Sequence, residues 1–208
     1  MSSRGPVVYI VDDDASIRDA LSLLLKEAGF RVESFKNASE FLEFNHLKRP
    51  SCLILDIKLP DINGLELQKI MEDKDIFIPI IFITGHGDIP MSVKGIKAGA
   101  VDFLPKPITE KKLVNAVTQA ISKHKTLRKK QSKIESIHRR IDNLTPREKE
   151  VFQLVAREMH SKQIASRLGT VLQTIKVHRA RVMKKMKAKN VTELIQLARK
   201  AGIIPPLK

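Results

Sequence analysis

Over its first 122 residues the chain alternates five times between a short apolar run and a segment of helical period, and few folds accept that alternation. The runs are "VVYIV" (7–11), "RVESF" (31–35), "CLILDI" (52–57), "PIIFIT" (79–84) and "VDFLP" (101–105). The first, third and fourth are almost continuously apolar, as strands of a parallel sheet covered on both faces must be. Helical period fills the gaps. In "SIRDALSLLLKEAG", Ile17, Ala20, Leu21, Leu24 and Leu25 share a face and Gly29 stands where a C-cap belongs. "NASEFLEFN" and "GLELQKIME" read likewise. The pattern predicts an α/β, doubly wound (βα)5 parallel-sheet domain, a fold that places ligands outside the carboxyl ends of its strands.

That rule turns the strand ends into candidates. The first strand gives Asp12 and Asp13, the third Asp56, the fourth Thr84 and the fifth Lys106, while the second ends in nothing reactive. Two carboxylates about 4 Å apart repel by roughly 4 kcal/mol at an effective dielectric near 20, so such a cluster needs positive charge. Lys106 supplies one. A hard divalent cation with oxygen ligands, Mg2+ above all, supplies the rest. Two acids on a metal, with a third beside an ammonium and a hydroxyl, suit phosphoryl transfer to a carboxylate. Neither G-x-x-x-x-G-K-[ST] nor G-x-G-x-x-G occurs in the chain, so the acceptor is the protein itself. Each residue also has a plainer reading: Asp14 as a helix cap, Thr84 as the end of a strand, Lys106 as a turn lysine and Phe103 as core.

Charge separates the rest of the chain from this domain. Met1–Ser122 holds 15 Lys and Arg against 17 Asp and Glu, net −2, whereas Lys123–Lys208 holds 23 against 6, net +17. A basic half expects a large anion, nucleic acid first. No apolar stretch approaches 18 residues, which argues against a membrane span; the start "MSSRGPVVYIVDDD" lacks a secretory signal's apolar core, and Cys52 is the single cysteine. These features predict a reducing, cytoplasmic setting without a membrane partner. From Thr109 to Asn143 a helical stripe (Leu113, Val117, Ala120, Ile121, His124, then Leu127, Ile134, Ile137 and Ile141) predicts one long helix, or two with a joint near 123–130. The 127–134–141 spacing admits a dimer contact or simply a solvated linker.

The remainder reads as all-helical. Thr145, Pro146 and Glu148 spell a capping box; "SKQIASRLG" makes a short helix, and "TIKVHRARVMKKMK" a basic one with Ile175, Val182 and Met186 buried; Asn190 opens a fourth. A short helix, a tight turn and a basic helix make a helix-turn-helix. The organisation predicted is 1–122, a helical linker over 123–142, and a helix-turn-helix domain over 143–208.

The motifs "VDDD", "LILDIKLPDINGLEL", "IIFITGHGD" and "GAVDFLPKP" together resemble the receiver domain of two-component response regulators, over about residues 6–122. That resemblance implies Asp56 as phosphoacceptor, and Mg2+ held by Asp13, Asp56 and the backbone carbonyl of Lys58, with Asp12 acting through water. It implies Lys106 pairing with the phosphoryl group, Thr84 donating its hydroxyl to it, Phe103 as the aromatic switch, and a cis bond before Pro107. His86 and Asp88 are expected only to shape their loop. The second half, "LTPREKEVFQLVAREMHSKQIASRLGTVLQTIKVHRARVMKKM", resembles the LuxR-type helix-turn-helix, and the whole chain a FixJ- or NarL-type response regulator. The implied partners are a sensor histidine kinase, double-stranded DNA, the transcription machinery and, once phosphorylated, a second copy of the chain.

Helical geometry points Gln173, Lys176, Val177 and Ala180 away from the predicted core, with Lys176 and Val177 assigned to base edges. Lys162, Thr174, Arg179, Arg181 and Lys184 are phosphate candidates; Lys187 and Lys189 read as solvated and His178 as packing. Two residues depart from the family pattern: Glu158 stands where glycine is usual and Val171 where a good N-cap is usual. Two other functions remain to be weighed: a metal-dependent phosphohydrolase with a basic tail, and a constitutive DNA-binding protein with an inert receiver.

Overall fold

The computed structural model describes residues 5–44, 49–85 and 95–205. By internal contacts the chain divides into Met1–Arg128 and Lys129–Lys208, which are described separately.

In the first unit the five runs form β1 (Val7–Val11), β2 (Arg31–Phe35), β3 (Ser51–Asp56), β4 (Ile80–Thr84) and β5 (Asp102–Pro105). They pair in the order β2-β1-β3-β4-β5, every pair parallel. Helices α1 (Ala15–Glu27), α2 (Ala38–Glu43), α3 (Gly64–Asp73) and α4 (Glu110–Asp142), of which residues up to Arg128 fall in this unit, follow β1, β2, β3 and β5. The two faces carry separate cores, which is why β1, β3 and β4 are buried along their whole length. Tyr9, Val11, Leu53, Leu55 and Phe82 meet Phe41, Leu67 and Met71 on one side; Val8, Ile10, Ile54, Ile81 and Ile83 meet Leu21, Leu25, Leu113 and Val117 on the other. Ala20 is exposed, so the buried stripe of α1 is narrower than the sequence suggests.

Local chemistry sets the joints. Asp14 accepts from the amides of Ser16 and Ile17 and so caps α1, as the sequence suggests. Asn63 and Glu66 close a capping box on α3. A Cβ on Gly64 would lie 2.7 Å from the Asp56 carbonyl, so only glycine lets α3 start this close to the end of β3. Where the sequence admits one helix or two after Thr109, the chain forms the single α4 of 33 residues. On α4 the buried His124 ring is held at its Nδ1 by the Ser51 amide, 2.9 Å away, and burial pushes its pKa below the usual histidine range.

The second unit is helical: α5 (Pro146–Ala156), α6 (Ser161–Arg167), α7 (Leu172–Met186) and α8 (Val191–Lys200). Val151, Phe152, Ile164, Ile175, Val182, Met186, Leu194 and Ala198 fill its core, and Ile137 and Ile141 from α4 belong to the same cluster. Thr145 and Glu148 make the expected capping box. The Glu148 carboxylate is buried and also takes the Lys185 ammonium at 2.6 Å, which ties α5 to α7; these contacts hold its pKa below the usual carboxylate range.

Both departures from the family pattern have a structural counterpart. Val171 offers no side-chain hydrogen bond at the start of α7. Glu158 sits at φ 63° in the turn after α5, where its own amide reaches the Val155 carbonyl and that of Met159 the Leu154 carbonyl. The ends of α6 and α8 place Gly169 and Gly202 in the same left-handed region. Glu158→Gly is therefore expected to raise the stability of this unit by about 1 kcal/mol in urea titration, since the Arg199 contact it gives up spans 3.8 Å from a largely exposed carboxylate.

Candidate phosphoacceptor site and nucleic-acid interface

At the carboxyl end of the sheet, parallel pairing lines up the last residues of β1, β3, β4 and β5, and the predicted cluster assembles there. The Lys106 ammonium lies 2.7 Å from Asp12 Oδ2 and 2.5 Å from Asp56 Oδ2, bridging two strand ends. Asp12 is fully buried, and Asp56 and Thr84 nearly so. Asp12 Oδ1 accepts from the Asp14 amide at 2.9 Å and Asp56 Oδ1 from the Lys58 amide at 3.0 Å. The Thr84 carbonyl receives the Lys106 amide at 2.7 Å, and the Lys106–Pro107 bond is cis, as the resemblance implies. Phe103 is half-buried with its ring centroid 6.3 Å from that of Phe82. His86 and Asp88 lie outside the described residues.

The electrostatics are those of a cation site. One ligand oxygen each from Asp12, Asp13 and Asp56 lie within 4.8 Å of one another. Three carboxylates set against the Lys106 ammonium and the nearby Arg18 guanidinium leave the cluster net negative, so it can take a cation. Burial pushes the Asp12 carboxyl above its usual range despite the Lys106 and Asp14 hydrogen bonds. Burial also works against the Lys106 charge, but its bonds to Asp12 and Asp56 prevail and hold the ammonium above the usual lysine range. An all-oxygen donor set of this charge suits Mg2+.

One contact escapes the sequence motifs. Arg18 Nη1 donates to the carbonyls of Asp12 at 2.8 Å and Asp13 at 2.9 Å. A cation so near the start of a helix opposes the macrodipole, and that misplaced charge is the signal a reader of the sequence could have used.

In the second unit the outward face of α7 carries Gln173, Lys176, Val177, Ala180, Arg181 and Lys184, all exposed, and Lys162 is exposed on α6. Ile175, Val182 and Met186 are buried as predicted. Thr174 and Arg179 are half-buried, and Arg179 Nη1 donates to Ser161 Oγ at 3.0 Å, so this phosphate candidate already braces α7 against α6. The C-terminal end of α7 is held by Arg140, whose Nη1 reaches the Met186 carbonyl at 3.1 Å. Among the described residues no helix is long and apolar enough to cross a membrane.

Comparison with known proteins matches each part of the chain to a family. Residues 8–118 match the response regulator receiver domain, and residues 142–198 the bacterial regulatory proteins of the luxR family. Nodulation protein W of Bradyrhizobium diazoefficiens is 41% identical over 202 residues, which cover 97% of this chain and 89% of that protein. Transcriptional regulatory protein FixJ of the same organism is 37% identical over 204 residues, covering 98% and 99% of the two chains. The solved structure of response regulator StyR superimposes with a TM-score of 0.83 at 42% identity, over 94% of this chain and 99% of that one. The chain therefore belongs to the two-component response regulators in which a receiver domain is joined to a LuxR-type DNA-binding domain.

Proposed function

We propose that this regulator is a phosphorylation-controlled, DNA-binding transcription factor of the cytoplasm, in which Asp56 takes a phosphoryl group from a sensor histidine kinase. The reading divides the chain into a receiver over 1–122, a linker over 123–142 and a DNA-binding domain over 143–208, whose core also takes in Ile137 and Ile141 from the end of the linker. The observation that carries it is the Lys106 ammonium bridging Asp12 and Asp56 beside Asp13. An Asp56 oxygen forms the new O–P bond as the N–P bond of the donor phosphohistidine breaks, and the departing imidazole takes up a proton. Asp13, Asp56 and the Lys58 carbonyl would hold Mg2+, with Asp12 acting through water. When bound, the ion offsets charge on the phosphoryl oxygens. Lys106 remains paired with Asp12 and turns its second contact to the phosphoryl group, and Thr84 donates its hydroxyl there. Phe103 then repacks, which alters the surface used for pairing with a second receiver. The chain undergoes its own phosphotransfer and dephosphorylation and turns over no external substrate.

On the DNA side, Lys176 and Val177 read base edges, helped by Gln173 and Ala180. Lys162, Thr174, Arg179, Arg181 and Lys184 face phosphates. About six such contacts give a log–log salt slope near −5. Lys176→Ala is expected to flatten sequence preference, whereas Arg181→Ala should weaken every sequence alike, both read by binding to a randomised duplex pool. A slope near zero would leave the exposed basic residues as solvation only. For the receiver, incubation with a small phosphodonor and Mg2+ should add one phosphoryl group, mapped by peptide mass to Asp56 and absent when the metal is chelated. A modification elsewhere in the chain would refute the assignment.

A further inference from the structure

The acids of the site are not held equally. Asp12 has both carboxylate oxygens engaged, by the Asp14 amide and by Lys106. Asp56 has both engaged as well, by the Lys58 amide and by Lys106. The Asp13 carboxylate is exposed and has no hydrogen-bond or ionic partner among the described residues. Where that carboxylate points is thus inherited from the backbone on either side of it. Both flanking carbonyls, those of Asp12 and Asp13, are gripped by the single Nη1 of Arg18. Arg18 is half-buried one turn into α1, and α1 is anchored in the receiver core by Leu21 and Leu25. Its rigid guanidinium fixes two consecutive peptide planes relative to a packed helix, and a flexible ammonium does this poorly.

We infer that Arg18 is the positioning residue for Asp13: by clamping the carbonyls of Asp12 and Asp13 it aims the one otherwise unsupported acid of the cluster at the cation. The inference rests on the reading of Asp12, Asp13 and Asp56 as a Mg2+ site. Outer contacts of this kind typically change metal affinity by about 10- to 100-fold when lost.

Charge and clamp must be separated, because removing a cation near a metal site favours the metal by itself. Arg18→Lys does so: it keeps the charge but its ammonium stops one bond short of where Nη1 makes both contacts. The measurement is Mg2+ titration of the unphosphorylated full-length protein, followed by amide NMR shifts of residues 12–14 and 56–58, with thermal unfolding of each protein alongside. Arg18→Lys should weaken Mg2+ binding about tenfold. Leu25→Ala, which destabilises the same helix from its buried side without touching the carbonyls, should leave the Mg2+ midpoint within about twofold of wild type. Equal midpoints for wild type and Arg18→Lys would overturn the positioning role while leaving the site intact. A loss in Leu25→Ala as large as that in Arg18→Lys would reduce Arg18 to a structural staple. Wild type that shows no Mg2+-dependent shift at these residues would overturn the site and this inference together.

Discussion

Asp56→Asn is expected to fold as wild type does, to keep its basal affinity for DNA, and to lose its response to a phosphodonor. The substitution preserves shape, and the Asn carboxamide oxygen still accepts the Lys58 amide that Asp56 Oδ1 accepts at 3.0 Å. Lys106 keeps its 2.7 Å partner in Asp12, so its half-buried ammonium is not left alone. Removing the Asp56 charge also relieves its repulsion of Asp12. The carboxylate nucleophile is what disappears. Loss of a nucleophile lowers rates by a factor on the order of 10³ or more, so phosphoryl incorporation should fall below detection. Intact-protein mass after incubation with phosphodonor and Mg2+ checks the chemistry, and thermal unfolding checks the fold. An Asn variant that still gains one phosphoryl group would remove Asp56 from its role.

The second large effect concerns where the DNA-binding part can be cut. Ile137 and Ile141 of α4 are buried in the core of the second unit, and Arg140 donates to the Met186 carbonyl at the end of α7. A fragment 143–208 lacks all three. Burying an isoleucine side chain contributes about 1.5–3 kcal/mol, so the two together contribute about 3–6 kcal/mol. Small domains have total stabilities of about 5–15 kcal/mol, and a piece this short sits near the lower end. Fragment 129–208 should therefore unfold cooperatively and bind DNA, while 143–208 should melt far lower or without a cooperative transition. Circular dichroism melts of the two fragments decide it. Equal melting temperatures would mean that the last turns of α4 are incidental to the second core.

What the sequence displays and what it hides follow from physical reach. Strands β1, β3 and β4 are legible because burial on both faces demands continuous apolar runs, as in Val7–Val11 and Ile80–Thr84. Asp12, Asp56, Thr84 and Lys106 are legible because parallel pairing brings strand ends to one edge, whatever the distances turn out to be. The outward face of α7 follows from helical period alone once Ile175, Val182 and Met186 are placed inside. Contacts made across long sequence separations are not legible in this way. Nothing in the chain announces that Lys185 would close on Glu148, that His124 would meet Ser51, or that Arg140 would cap the helix ending at Met186. The narrow stripe of α1 has a similar origin: period puts Ala20 beside Leu21 and Leu24, but of the three only Leu21 is buried.

On the proposed function, chemistry at Asp56 controls DNA binding by the second domain. Pairing of receivers makes the second DNA contact effectively intramolecular, a gain on the order of 10²- to 10⁴-fold in avidity when the geometry permits both contacts. A coupling of about 1–3 kcal/mol between phosphorylation and pairing is enough to drive it. The direct test is the affinity of the full-length protein for a duplex selected from a random pool, measured together with its sedimentation. Both are recorded with and without a small phosphodonor and Mg2+. Phosphodonor should convert monomer to dimer and tighten binding by at least about tenfold, with neither change in Asp56→Asn. Unchanged affinity in a protein shown by mass to be phosphorylated at Asp56 would contradict it.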